Sequence, residues 1–214
     1  MRVGFIRKVL GIVSCQLLFS LSLVLYAAFS PSFEVFIKNP FIAIMAFFLC
    51  IVPLMSLLCC NLTRIVPINY MLLFLFTLGE SILVSYVSSL YTLESVLLAI
   101  VLFALTTVCL WTASLCMTSI DQYVPTMIGS LCFALLLQLV AVPIYLMSAG
   151  ANYDAYLVME GIGGSIIYGI YVIIDLKMIQ EKISVDDYIL GAITLYVDLI
   201  TLFVKILQVV GKRK

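Results

Sequence analysis

Two aspartates stand where acidic residues are rare, inside long apolar stretches of the chain. Asp175 lies in YGIYVIIDLKMI and Asp198 in ITLYVDLITLF, and a short loop joins the two stretches. If these stretches form neighbouring antiparallel helices, the two carboxyl groups can approach each other. At low dielectric constant they could not both ionise comfortably, so they would share a proton and titrate as a unit. The pattern therefore indicates a proton-sensitive gate.

The same acids could have a simpler structural role. Lys205 follows Asp198 by seven residues and shares its helix face, so it could neutralise Asp198, while Asp175 lies close enough to a helix end to reach water. The residues alone leave structural pairing and a functional dyad equally open. Two carboxylates also suit a hard cation such as calcium, but they supply at most four of the six or more oxygens of a full site. We therefore expect only a transient calcium site at Asp175 and Asp198.

A third acid, Glu80, lies in the middle of FTLGESILVSYVSS. An isolated acid at the bilayer centre costs about 3 kcal/mol on insertion scales, so Glu80 should face the interior of a helix bundle. Three hydroxyl residues of this segment, Thr77, Ser81 and Ser85, recur every four residues and share one helix face. Small polar residues at this spacing are typical of close helix packing, and a polar seam that lines a pathway is the alternative.

The elements that must position these residues are predicted to be transmembrane helices. The chain is 65% hydrophobic and 10% charged, with a mean hydropathy of +1.28, a composition that fits an all-α integral membrane protein and no soluble core. Seven apolar segments have the roughly 20-residue length that crosses a bilayer, and residues 1–214 are predicted to form a single transmembrane domain. The predicted spans are approximately 9–29, 41–60, 69–90, 95–117, 125–147, 156–178 and 188–210.

The charges exclude some functions and suggest an orientation. Eleven basic residues balance eleven acidic ones, so no global field recruits nucleic acid, and the absence of histidine argues against a zinc enzyme. Basic residues at alternate loops, including Arg2 and Arg64, predict a cytoplasmic amino terminus. Seven crossings would then place the basic residues 212–214 outside, against the positive-inside rule. Either the fold tolerates this violation, with the last helix central in the bundle, or the last segment is re-entrant. Arg64 itself is either a positive-inside anchor or a latch onto Asp175.

Four stretches carry a resemblance that spans nearly the whole chain. They are FIRKVLGIVSCQL at 5–17, PINYMLLFLFTLGES at 67–81, IDLKMIQEKISVDDYILGAI at 174–193 and LYVDLITLFVKILQVVG at 195–211. In these stretches the sequence resembles the transmembrane Bax inhibitor motif family, also called Lifeguard, and most closely its Golgi anti-apoptotic protein branch. The chain departs from the family pattern in the loop around Arg64, and in reading IDL where a tyrosine and a threonine commonly flank the acid.

The resemblance implies a compact seven-helix bundle of Golgi or endoplasmic reticulum membranes that leaks calcium from stores and restrains apoptosis. It implies that Asp175 and Asp198 form a pH-sensitive pair and that Arg64 latches the closed state. Calcium would be the permeant ion, with no cofactor. The lipid bilayer, and other calcium channels or apoptosis regulators, would be the partners.

Three other functions remain to be weighed against a calcium leak. Two aspartates on consecutive helices suggest a presenilin-type protease, but Leu195-Tyr196-Val197 precedes Asp198 where that class needs G-x-G, so we expect no enzyme. A proton-coupled ion transporter could use the same buried acids. A nonconducting anti-apoptotic regulator that acts through protein partners is the main alternative.

Overall fold

The computed structural model describes residues 2–59, 62–116 and 153–214. The α-helices of these ranges, in chain order, are α1 (Arg2–Phe29), α2 (Pro31–Ile37), α3 (Pro40–Cys59), α4 (Ile68–Ser89), α5 (Leu93–Cys116), α6 (Tyr153–Glu181) and α7 (Tyr188–Val210). Two 3₁₀ turns, Leu62–Arg64 and Val185–Asp187, precede α4 and α7. All of these α-helices except α2 are long and apolar enough to cross a membrane.

Six of the seven predicted spans coincide with these long helices. Apart from α1, which begins at Arg2 rather than near residue 9, the helix ends lie within three residues of the predicted ends. The predicted span 125–147 lies outside the described residues. Hydropathy missed the short helix α2, whose start has a local cause: the Ser30 hydroxyl accepts a hydrogen bond from the Phe33 N–H at 3.4 Å, and Pro31 stands first in the helix.

Helix α7 lies at the centre of the bundle. It packs against α6, α1, α5 and α4, and 61% of its most apolar stretch is buried, compared with 17–44% for the other long helices. Large side chains such as Tyr196 and Phe203 are fully buried on it. Around α7, the outer helices expose large apolar side chains such as Phe48 and Leu105. An apolar exterior is expected where the surrounding solvent is lipid.

The loops and chain ends divide between two ends of the bundle. At one end, here called the amino-terminal end, Arg2 donates to the Gln180 carbonyl. At the other, the carboxy-terminal end, the Thr92 N–H donates to the Lys212 carbonyl at 2.9 Å and Lys214 pairs with Glu34 at 2.8 Å. Helix α7 runs unbroken between these ends over 23 residues, a length of about 34 Å. The last segment is therefore central, and the re-entrant alternative does not describe it.

Candidate functional site

The two buried aspartates meet at the interface of α6 and α7. The carboxyl groups of Asp175 and Asp198 lie within hydrogen-bonding reach of each other, and the Thr194 hydroxyl lies within the same reach of Asp175. One oxygen of Asp175, Oδ2, is buried and has no hydrogen-bond donor among the described residues. Asp175 lies six residues before the end of α6 and Asp198 lies ten residues into α7, so the two helices are offset along their axes, as contact between the acids requires.

The cations that the sequence offered as partners are engaged elsewhere. Lys205 on α7 forms an ion pair with Glu160 on α6, so it does not neutralise Asp198 as the simpler structural interpretation supposed. Sequence analysis did not single out Glu160, although the predicted span 156–178 contains it. The structure places Glu160 in α6, seven residues after the first residue of the helix.

Arg64, the predicted latch, contacts a different acid. Its Nε and Nη2 donate to the two carboxylate oxygens of Asp187 at 2.8 and 2.9 Å. This bidentate contact raises the pKa of the Arg64 guanidinium. The pair joins the turn before α4 to the turn before α7 at the amino-terminal end, and Asp175 takes no part in it. The Arg64 side chain is 62% exposed, so this ion pair lies at the surface.

The other polar residues that sequence analysis singled out lie away from the acid pair. Glu80 on α4 reaches the Cys50 thiol of α3. Two of the hydroxyl residues face α1: Gln16 donates to the Thr77 hydroxyl at 2.7 Å, and Ser81 shares a hydrogen bond of 2.8 Å with Ser20. The hydroxyl of Ser85 donates to the Ser81 carbonyl of its own helix. Glu80 and the hydroxyl seam therefore face different helices.

The Ser20 hydroxyl extends the seam to the central helix. It shares a hydrogen bond of 2.8 Å with the Tyr196 phenol and donates to the Gln16 carbonyl at 2.9 Å. Gln16, Ser20, Thr77, Ser81 and Tyr196 are all buried and together form a network that joins α1, α4 and α7. Sequence analysis did not identify this network, because the members on α1 are single polar residues in an apolar run.

The acid pair is the candidate site with the chemistry of a switch. Two carboxyl groups in contact can hold one proton between them, and its loss leaves two like charges at short range. In the described part of the chain no cluster of three or more histidine, cysteine, aspartate or glutamate residues could hold a metal ion. A cation at the pair would therefore need carbonyl or water oxygens to complete its shell.

The arrangement defines a multi-pass α-helical membrane protein with an acid pair inside its bundle. The chain belongs to the Bax1-I family, "Inhibitor of apoptosis-promoting Bax1", whose family model matches residues 2–214. It is 27% identical over 216 residues to "Protein lifeguard 3" of Homo sapiens, covering 98% of this chain and 68% of the relative. It is 27% identical over 214 residues to "Bax inhibitor 1" of Schizosaccharomyces pombe, covering 98% and 77%. An Arabidopsis thaliana "BI1-like protein" is 29% identical over 211 residues, covering 98% and 80%.

The comparison confirms the family that the sequence resembled. Relatives named lifeguard and relatives named Bax inhibitor both match over almost the whole chain, so the Golgi anti-apoptotic protein branch stays a prediction. Membership in a family described as inhibitors of apoptosis points to an anti-apoptotic membrane protein.

Proposed function

We propose that this protein is a pH-sensitive calcium leak channel of intracellular membranes, and that its gate is the pair Asp175 and Asp198. One observation carries the proposal: the two carboxyl groups lie within hydrogen-bonding reach of each other inside the bundle, while Lys205, the cation that follows Asp198 on α7, is held by Glu160. An intramembrane acid without a basic partner marks an ion or proton pathway by default.

The pair can act as a gate because its charge changes with one proton. With a proton shared between the carboxyl groups, α6 and α7 are held together and the pathway is closed. When the proton leaves, two unit charges about 4 Å apart repel by on the order of 4 kcal/mol at an effective dielectric constant near 20. Separation of the helices or entry of a cation relieves this repulsion, so release should rise with pH. Calcium is the cargo, because carboxylate oxygens are its preferred ligands.

We further propose endoplasmic reticulum or Golgi membranes as the location and a cytoplasmic amino terminus. Three basic residues of the amino-terminal end, Arg2, Arg64 and Lys182, support this orientation by the positive-inside rule. A calcium leak from these compartments into the cytoplasm would lower store calcium, and the family description supports a link from that effect to the inhibition of apoptosis.

The test is calcium release from liposomes that contain the purified protein. Initial rates are compared between about pH 6 and pH 8, where a shared carboxyl proton is expected to titrate, for the wild-type protein, Asp175→Asn and Asp198→Asn. Asp186→Asn is the matched control, because Asp186 is an exposed loop acid. We expect wild-type release to rise with pH, and each gate variant to lose that dependence, because one carboxylate beside a neutral asparagine cannot generate the repulsion between two like charges.

The outcomes separate the candidate functions. Unchanged release in both gate variants would remove the acid pair from the mechanism. Saturable flux that requires an opposing proton gradient would indicate a proton-coupled transporter. No release above empty liposomes, from protein shown to be helical and monodisperse, would contradict the channel and favour the nonconducting regulator.

A further inference from the structure

A line of polar side chains continues beyond the acid pair along the α6–α7 interface. On α7 the polar residues recur at alternating intervals of four and three, which keeps them on one helix face. They are Thr194, Asp198, Thr201, Lys205 and Gln208. On α6 the Tyr168 phenol lies within electrostatic range of both Asp198 and Glu160, so it lies between the acid pair and the ion pair of Lys205. The polar line therefore connects the two charged clusters.

Lys205 is held inside the bundle although water is within reach of a side chain of its length. It lies five residues before the end of α7, about 8 Å of helix, and a lysine in this position usually extends its ammonium group to the membrane surface. Instead, its ammonium group pairs with Glu160, and its side chain is only 14% exposed. The protein therefore keeps a fixed positive charge on the polar line, about 10 Å along the helix from Asp198.

Two glycines of α6 make room for this lysine. A Cβ atom added at Gly164 would lie 2.6–2.9 Å from the Cδ, Cε and Cγ atoms of Lys205. One added at Gly161 would lie 3.0 Å from the Lys205 carbonyl oxygen. The two helices are thus in close contact at the level of the ion pair, and the lysine stem lies where a side chain at Gly164 would be.

On the far side of the ion pair, a cleft of about 370 Å³ opens at the carboxy-terminal end. Its lining includes Gln208, Lys212 and Arg213. Gln208 lies three residues past Lys205 on α7, and its Oε1 is buried without a hydrogen-bond partner among the described residues. The ion pair consequently separates an open cleft from the acid pair.

We propose that Lys205 is a built-in cation that plugs the pathway at Glu160 and limits the rate at which cations pass. This inference rests on the proposed function and adds a second control point to it. While the lysine ammonium occupies the Glu160 carboxylate, an incoming calcium ion meets no free carboxylate of the described residues at this level. Passage requires the ammonium group to leave, so Lys205 sets the basal leak and the acid pair sets its pH dependence.

The two members of the ion pair then have opposite effects. Lys205→Met removes the plug and leaves Glu160 as an unoccupied carboxylate, which attracts cations. Glu160→Gln leaves an unpaired positive charge on the pathway, which repels them. If the ion pair had only a structural role, both variants would change the release rate in the same direction, because either substitution leaves the remaining charge unpaired.

The experiment measures initial calcium release from liposomes at pH 8 for Lys205→Met and Glu160→Gln. We expect Lys205→Met to release calcium about tenfold faster than wild type, equivalent to about 1.4 kcal/mol of barrier, and Glu160→Gln to release it about tenfold more slowly. Lys38→Met is the matched control for loss of a lysine, because it breaks an exposed ion pair with Glu34 while Glu34 keeps its second partner, Lys214, and it should leave the rate unchanged. Changes of the same sign in the two test variants, or no change, would overturn the plug.

A second comparison keeps both charges and displaces only the lysine stem. Gly164→Ala places a methyl group against the flexible part of Lys205, whereas a Cβ at the neighbouring Gly163 meets nothing within 4 Å. We expect Gly164→Ala to speed release and Gly163→Ala to match wild type, with both variants retaining the helical circular dichroism of the wild-type protein. Equal rates in the two alanine variants would contradict the role of Lys205.

These outcomes are distinguishable from a failure of the proposed function. If the wild-type protein releases no calcium, the channel itself is refuted. If it releases calcium with the expected dependence on Asp175 and Asp198, but Lys205→Met and Glu160→Gln do not diverge, only the plug is refuted.

Discussion

Removal of the hydroxyl group from either of two tyrosines should distinguish residues that stabilise the bundle from residues that line the ion pathway. Tyr196 on α7 is fully buried and bonds to Ser20 at 2.8 Å, in the network that joins α1 and α4. Tyr168 on α6 is near Asp198 and Glu160. Tyr196→Phe and Tyr168→Phe make the same chemical change, so each is the control for the other.

The loss of stability expected for Tyr196→Phe follows from the contacts that the variant keeps. The ring and its edge contact with Phe76, at 6.1 Å between centroids, are kept. The Ser20 hydroxyl keeps its bonds to Ser81 and to the Gln16 carbonyl, so no polar group on Ser20 is orphaned. The loss is one interhelical hydrogen bond, about 0.6 kcal/mol on average in membrane proteins and up to about 1.7. For a chain of this size that lowers Tm by roughly 2–4 °C per kcal/mol.

The assay combines thermal unfolding in detergent, followed by circular dichroism, with calcium release from liposomes. We expect Tyr196→Phe to lower Tm by a few degrees without changing release. Tyr168→Phe should leave Tm nearly unchanged and shift the pH dependence of release, because a phenol is lost beside Asp198. The reasoning is refuted if Tyr196→Phe changes the release rate tenfold while Tyr168→Phe does not change it, since the pathway would then follow the hydroxyl seam of α4.

Two further predictions concern the contacts that hold the bundle together. Gly79→Ala should destabilise the protein by about 1–3 kcal/mol, because the added Cβ would lie 2.7 Å from the Cys50 Sγ. Gly11→Ala is the control in the same unfolding assay, because nothing lies within 4 Å of a Cβ at that position. Equal stability of the two variants would contradict the close approach of α3 and α4. The Lys214 ammonium lowers the pKa of Glu34, so the stability that this contact adds is present above the ordinary carboxyl pKa and is lost as pH falls through the lower folded value. Hydrogen exchange at residues 211–214 should therefore rise below about pH 4, and Glu34→Gln should show the faster exchange already at pH 7; a tail equally protected in that variant would show that the pair does not hold it.

The sequence was sufficient to predict the six long helices of the described residues and the approach of the two acids. Hydropathy depends only on local composition, and Asp175 and Asp198 lie on consecutive helices that a short loop makes antiparallel neighbours. It could not predict the partners of Arg64 and Lys205. Both side chains are long and flexible, and each had more than one acid within reach, so the choice depends on helix offset and on the space at Gly164. Neither quantity is encoded in a local pattern.

The same limit explains why Glu80 and the hydroxyl seam were grouped together. Glu80 precedes Ser81 by one residue, which turns its side chain by about 100° around the helix. That rotation directs Glu80 to the Cys50 thiol of α3 and Ser81 to Ser20 of α1. Sharing a segment therefore did not mean sharing an environment, because a helix inside a bundle contacts different neighbours on its different faces.

The central helix α7 also contacts different neighbours on its different faces, and this difference has a consequence for function. Tyr196 and Asp198 are two residues apart on α7 and thus point about 200° apart around its axis. One side belongs to the hydrogen-bonded network with α1 and α4, and the other faces α6 with the acid pair and the Lys205–Glu160 ion pair. If α7 stays fixed to α1 and α4 by the first side, the movement that opens a pathway falls to α6. Substitutions on the Tyr196 side should then change stability before they change conduction, and substitutions on the Asp198 side should do the reverse.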